Sequence, residues 1–127
     1  MQNDKIKSLL LELKEKFKLL RSIVEEKQKA IIEFDSRKLQ SVLEREESLL
    51  GEISTIEAQF VAEFGRNIKT FIEGSDELRL LRDGVESEVE KIRKLNAENR
   101  YLISHSLSFI VKLLELYGAE NKINAKI

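Results

Sequence analysis

Residues 6–34, IKSLLLELKEKFKLLRSIVEEKQKAIIEF, place apolar side chains at alternating steps of three and four residues. The stripe has one polar gap, at Lys27, and otherwise consists of Ile6, Leu10, Leu13, Phe17, Leu20, Val24, Ile31 and Phe34. Heptad spacing keeps one face of a helix apolar along its whole length, so that this face can pack against partner helices. The stretch predicts a first helix over about residues 4–33.

Two more segments repeat this pattern. The second has a polar gap at Glu46 and follows a short break at which Asp35 or Ser36 can cap a new helix. We expect this helix over about residues 36–64, with an extension past Gly65 to about residue 73 left open, because an interior glycine costs only about 1 kcal/mol. Near the next break, Gly74 can take the left-handed position after a helix and Ser75 can cap the following one.

The third helix is expected over about residues 76–117, followed by a short polar tail at 118–127 that we expect to be flexible. Short links between amphipathic helices favour antiparallel neighbours. The sequence therefore predicts an all-α, coiled-coil-like bundle of three long helices in up-down-up order. All of it belongs to a single domain over residues 1–127.

Composition excludes several functional classes. The 127 residues include 22 Lys and Arg and 23 Asp and Glu, with acids and bases interspersed, so there is no basic block to bind nucleic acid. The absence of cysteine excludes disulfides and thiol chemistry and fits a cytoplasmic protein. The N-terminal residues do not resemble a signal peptide, and no apolar run is long enough to span a membrane.

Catalytic and metal sites are not expected. His105 is the only histidine and falls on the polar face of the third helix, where a solvated role is favoured over a metal ligand. The carboxylates lie among lysines and arginines, an arrangement typical of solvated helix faces. We predict neither enzyme activity nor a cofactor. Asn96 and Asn99 lie in the stripe of the third helix, where a polar residue fixes the register between helices.

The end of the third helix is unusually apolar. Placing residues about 100° apart around the helix, apolar side chains cover about 220° of its circumference between Leu102 and Tyr117. Two neighbouring helices do not easily cover so wide an arc. The excess predicts a binding surface for another protein, a deep core wrapped by the first two helices, or a self-association surface.

The residues over this arc also resemble a known family. The run LNAENRYLISHSLSFIVKLLELYG, residues 95–118, resembles the signature of FlgN-type flagellar export chaperones. That signature has Asn-x-x-Asn, an apolar pair and a second apolar block, here Asn96, Asn99, Leu102, Ile103, Leu107, Phe109 and Ile110. The run KQKAIIEFDSRKLQSVLEREESLLGEI, residues 27–53, also looks similar to the family.

This resemblance implies a cytoplasmic chaperone for the hook–filament junction proteins FlgK and FlgL. Such a chaperone binds their helical C-terminal segments, prevents premature assembly and delivers them to the type III export gate. The client-binding residues would be Leu102, Ile103, Leu107, Ile110, Val111 and Leu114. Tyr117 would correspond to the tyrosine that docks on the export-gate protein FlhA. The chain would be a monomer or a weak homo-oligomer.

Two other functions stay open. One is a structural coiled-coil subunit that self-associates through the third helix. The other is a secretion chaperone for a different flagellar cargo, such as flagellin or a filament cap protein.

Overall fold

The computed structural model describes the backbone of residues 2–116 and the side chains of residues 2–105. Four helices follow one another, α1 (Gln2–Ile32), α2 (Ser36–Phe64), α3 (Asn67–Glu73) and α4 (Asp76–Leu116). No strand occurs between residues 2 and 116. The all-helical class is therefore confirmed for this part of the chain, with four helices instead of the predicted three.

A tight turn joins α1 to α2. The backbone N–H of Asp35 donates to the carbonyl of Ala30 at 3.0 Å, and that of Phe34 donates to Ile31 at 3.2 Å. Phe34 carries the reversal with a φ of 56°, in the left-handed region that L-residues other than glycine seldom enter. Asp35 then caps α2, since its side chain accepts from the N–H of Lys38 at 3.0 Å.

Gly65 ends the second helix. Its φ of 52° reverses the chain, and α3 begins as a separate helix two residues later. The predicted limits of 36–64 are therefore confirmed, and the extension to residue 73 that the sequence left open does not occur, because positive φ breaks the helical hydrogen-bond ladder. Ser75 caps α4, as its hydroxyl accepts from the N–H of Leu78 at 3.3 Å. Gly74, expected in the left-handed region, has a φ of −80° instead.

Cross-helix ion pairs give the directions of the long helices. Between α1 and α2, Lys5 lies 2.8 Å from Glu63 and Lys16 lies 2.8 Å from Glu52, so residue numbers rise along one helix as they fall along the other. The hydrogen bond to Glu52, and then the charge of that carboxylate, raise the pKa of Lys16 above its ordinary value. The two helices therefore run antiparallel.

Between α1 and α4 the numbers rise together. Lys7 lies 2.6 Å from Glu77 near the start of both helices, and Gln28 donates to Glu98 at 3.1 Å near the end of α1. The hydrogen bond to Glu77, and then its charge, raise the pKa of Lys7. Thus α1 packs against both α2 and α4, and the short α3 packs mainly on α4.

The main core extends along α1 from Ile6 to Val24. Phe64, Ile72 and Leu78 are buried at the end of the bundle where α1 begins, and the rings of Phe64 and Phe71 meet edge to face at 6.1 Å. The rest of this core comes from the stripes of the long helices: Ile6, Leu9, Leu10, Leu13, Leu20, Val24, Leu49, Ile53, Ile56 and Ile92. Within the described residues, every helix is too polar or too short to cross a membrane.

The strained turn gives a first prediction. Phe34 is 67% exposed, so its side chain contributes little packing, while its backbone conformation favours glycine. We expect Phe34→Gly to raise the free energy of unfolding by about 0.5–1 kcal/mol. Urea denaturation followed by circular dichroism measures the change.

Phe34→Ala is the matched control, because it removes the ring but keeps the left-handed strain. It should give no gain in the same denaturation. Equal stabilisation by both substitutions would show that the exposed ring, and not the backbone, limits stability at this position.

Candidate functional site

The fourth helix runs past the end of the first. Four α1 residues follow Gln28, whereas eighteen α4 residues follow its partner Glu98. At 1.5 Å per residue, α4 continues for about 20 Å beyond the level at which α1 ends. The turn from α1 to α2 lies at residues 33–35, so the hairpin of these two helices reaches only the first part of the apolar arc.

The predicted client-binding residues fall into two groups. Leu102 and Ile103 have described side chains, and they line different surfaces on two sides of α4. Leu107, Ile110, Val111 and Leu114 belong to α4, but their side chains lie outside the described part. Tyr117 lies outside the described residues altogether. The roles of these five residues stay predictions.

Ile103 lines a groove between α2 and α4, which we call the α2–α4 groove. Its volume is about 410 Å³ and α1 forms its floor. The exposed fractions of its apolar rim residues are 45% for Leu43, 47% for Leu50 and 43% for Ile103. The complete lining is Leu20, Val24, Lys27, Ile31, Leu39, Leu43, Glu46, Leu50, Asn96, Asn99, Arg100 and Ile103.

Each helix presents a heptad seam to this groove. On α2 the seam is formed by Leu39, Leu43, Glu46 and Leu50, in steps of four, three and four. It runs beside a buried seam that contains Val42, Leu49 and Ile56 and packs in the bundle. The stripe predicted from the sequence for the second helix mixed the two seams: it contained Leu39 and Glu46 with the buried residues, and it lacked Leu43 and Leu50. The adjacent apolar pairs 42–43 and 49–50 were the signal that α2 has two apolar seams.

The apolar stripes of α1, α2 and α4 are interrupted by polar residues, and three of these meet in the α2–α4 groove: Lys27, Glu46 and Asn96. The Lys27 ammonium donates to Glu46 Oε2 at 2.8 Å and to Asn96 Oδ1 at 3.1 Å. The side chains of Lys27 and Glu46 are only 16% and 15% exposed. This polar layer links α1, α2 and α4 at one level of the bundle.

Asn99 lies one turn further along α4, and its side-chain amide makes fewer hydrogen bonds than the layer at Lys27. The residue is 2% exposed. Its Nδ2 donates to the backbone carbonyl of Val24 at 3.4 Å, which is long for a hydrogen bond. Within the described part of the chain, Asn99 Oδ1 has no hydrogen-bond partner. A buried acceptor of this kind costs folding free energy unless another group donates to it.

Leu102 lines a second, more open depression between α1 and α4. Its volume is about 510 Å³, and Gln28, Ile32 and Tyr101 also line it. The Tyr101 ring stacks on His105 with 5.8 Å between ring centroids, and both residues are exposed. Over the described residues, no three His, Cys, Asp or Glu side chains are grouped to hold a metal ion.

Nearly the whole chain matches one family. The model of the FlgN protein family matches residues 1–124. The chain belongs to the FlgN family. This is a family of flagellar export chaperones and not of enzymes. The family resemblance of residues 27–53 and 95–118 is therefore confirmed. Comparison with curated proteins and with solved structures returns no match for the chain.

The polar layer gives a second prediction. Lys27→Ala removes the donor to both Glu46 and Asn96, leaving a largely buried carboxylate without its cation. We expect a loss of about 1–3 kcal/mol in the free energy of unfolding, measured by urea denaturation.

Arg93→Ala is the control, since Arg93 pairs with Glu90 on a fully solvated face and should cost less than about 0.5 kcal/mol. The double variant Lys27→Leu with Glu46→Leu should lose less stability than Lys27→Ala, because it removes the two charges together and leaves only Asn96 Oδ1 without its donor. A similar loss in Lys27→Ala and Arg93→Ala would contradict a stabilising role for this layer.

Proposed function

We propose that this protein is a cytoplasmic export chaperone for hook–filament junction proteins of the FlgK and FlgL type. It binds their C-terminal helical segments, prevents their premature assembly and delivers them to the export-gate protein FlhA. Membership of the FlgN family supports the general role. The observation that carries the proposal is the continuation of α4 beyond its own bundle.

Exposed apolar side chains surround the start of this extension. Ile32 and Phe34 are exposed at the turn from α1 to α2, and Tyr101 and Ile103 are exposed on α4 just before the extension. Scattered apolar residues are normal on a protein surface, but Ile32, Tyr101 and Leu102 line one depression beside α4, and such a group marks an interaction site. The proposed client surface continues from Leu102 and Ile103 along Leu107, Ile110, Val111 and Leu114.

A helical client suits the shape of this surface. An amphipathic helix can lay its apolar stripe along α4 and remove both stripes from water. An interface of about 1,000 Å² in total is typical of a transient complex. Release then requires no nucleotide, because competition at the export gate can displace the client. In this proposal α1, α2 and α4 form an up-down-up bundle, and α3 connects α2 to α4 and packs on α4.

The client surface gives a third prediction. Leu107→Asp with Val111→Asp places two charges in the proposed interface, so affinity for the C-terminal segment of the junction protein should fall at least about tenfold. Isothermal titration calorimetry measures this, with circular dichroism to check that helicity is kept.

His105→Asp with Ser108→Asp adds two carboxylates to the polar face of the same helix and serves as the control. Its affinity should stay close to that of the native chain. Equal binding by the native chain and the Leu107–Val111 variant would remove this part of α4 from the client site.

Tyr117 gives a fourth prediction, which concerns delivery. Tyr117→Ala should weaken binding of the client-loaded chaperone to the cytoplasmic domain of FlhA and leave client affinity unchanged. Tyr117→Phe keeps the ring and should retain most of the gate binding, because the ring supplies most of the buried apolar area. Biolayer interferometry with the loaded complex measures both. Undiminished gate binding by Tyr117→Ala would exclude this residue from docking.

A further inference from the structure

The part of α4 that lies against the end of α1, residues 96–105, is weakly packed, and we call it the α4 arm. Apolar burial on α4 ends just before it, since Leu78 and Ile92 are buried in the main core and Leu95 packs partly buried against it. Between residues 96 and 105, Asn99 is the one buried residue. The α4 arm therefore rests on the bundle through a polar side chain, whereas the earlier part of α4 rests on apolar ones.

Open space lies on both sides of the α4 arm. The α2–α4 groove borders it at Arg100 and Ile103, and the depression between α1 and α4 borders it at Tyr101 and Leu102. The fourth helix packs on α1 and α3 and makes little direct contact with α2. Among the described residues, α1 is therefore the main support of the arm.

Two hydrogen bonds join the arm to α1 near its edges. Lys27 donates to Asn96 Oδ1 at 3.1 Å, and Gln28 donates to Glu98 at 3.1 Å on the exposed surface. Water competes for both partners of an exposed hydrogen bond, so the second bond contributes little to docking of the arm.

The contact beneath the centre of the arm is poorer still. Asn99 Nδ2 donates to the backbone carbonyl of Val24 at 3.4 Å, and Asn99 Oδ1 has no donor among the described residues. If the arm moved away from α1, water could donate to this oxygen and accept from the amide nitrogen. Docking therefore leaves a buried acceptor unpaired while it buries little apolar surface in return.

We propose that the α4 arm undocks from α1 while the rest of the bundle stays folded, and that Asn99 keeps the docked and undocked states close in free energy. Undocking uncovers Val24, which is 0% exposed when the arm is docked, and joins the groove and the depression into one surface along α1. Segments that bury little apolar surface open locally at a lower free energy than the whole fold. The inference concerns the free chain and does not depend on the identity of the client.

A buried thiol reports the undocking, because the native chain contains no cysteine. Val24→Cys places a thiol beneath Asn99. Val42→Cys is the matched control, since Val42 is also 0% exposed but lines neither the groove nor the depression. The probe is the aromatic disulfide DTNB, which forms a mixed disulfide with the thiolate and releases a coloured aromatic thiolate. We expect the thiol at position 24 to react at least about tenfold faster than the thiol at position 42.

Urea distinguishes a local opening from unfolding of the whole chain. A local opening exposes little surface, so the rate at position 24 should depend weakly on low concentrations of urea, whereas the rate at position 42 should rise steeply. Leu81→Ala weakens the core that holds α4 before the arm, so it should accelerate only the thiol at position 42. Circular dichroism checks that each variant is folded. Equal rates with equal urea dependence at both positions would overturn the undocking.

The charge at position 28 separates motion of the arm from motion of side chains within the groove. Gln28 lines the depression, on the other side of α4 from the groove, and faces Glu98. Gln28→Glu repels that carboxylate and should speed the reaction at position 24 about twofold, while Gln28→Lys attracts it and should slow the reaction about twofold. A rate that neither substitution changes would assign the labelling to side-chain motion in the groove and overturn the proposal.

Asn99→Leu tests the origin of the balance. Leucine removes the unpaired acceptor and adds apolar surface to the contact with α1, so the reaction at position 24 should slow about tenfold. Lys94→Leu is the control, because it adds a leucine at an exposed position of the same helix and should change the rate less than about twofold. An unchanged rate in Asn99→Leu would overturn the role of Asn99 in setting the balance.

Discussion

The first helix has to bury its surface against two neighbours at once. Its buried residues include the adjacent pairs Leu9–Leu10 and Ala30–Ile31, which widen its apolar stripe beyond a single seam. Because α1 packs between α2 and α4, these two helices pack in the bundle mainly through contact with α1. Each is left with an apolar edge beside the α1 contact. The α2–α4 groove is a consequence of this arrangement, since α1 covers only one side of the space between its neighbours.

Local chemistry explains why the helix limits were largely predictable. A capping side chain acts within three residues of its own position, so Asp35 and Ser75 mark helix starts in the sequence and in the structure. The sign of φ at the residue where the chain reverses depends on contacts farther away in the fold. Phe34 takes positive φ while Gly74 does not, because tertiary packing determines how the chain must leave each helix. The sequence alone could therefore mark Gly65 as a weak point in the second helix, but it could not decide whether α2 ended there.

The site was only partly visible in the sequence. Lys27, Glu46 and Asn96 were recognisable as polar positions in apolar stripes, but their meeting depends on the axial offset between three helices. The turns between helices and the packing of the buried side chains set that offset, and no single stripe contains it. The sequence did not assign Leu43 and Leu50 to a second apolar seam, because each follows directly after a residue of the buried seam. Leu102 and Ile103 line different depressions, since neighbouring residues on α4 point about 100° apart.

The α2–α4 groove combines a half-exposed apolar rim with a buried polar layer. Leu43, Leu50 and Ile103 are each about half covered in the free chain, so a partner at this rim would remove only the remaining half of their apolar surface from water. At about 25 cal/mol per Å² this limits the free energy that each rim residue can contribute to a complex. The polar layer beneath the rim limits the stability of the bundle itself, because the buried Asn99 Oδ1 has no donor among the described residues.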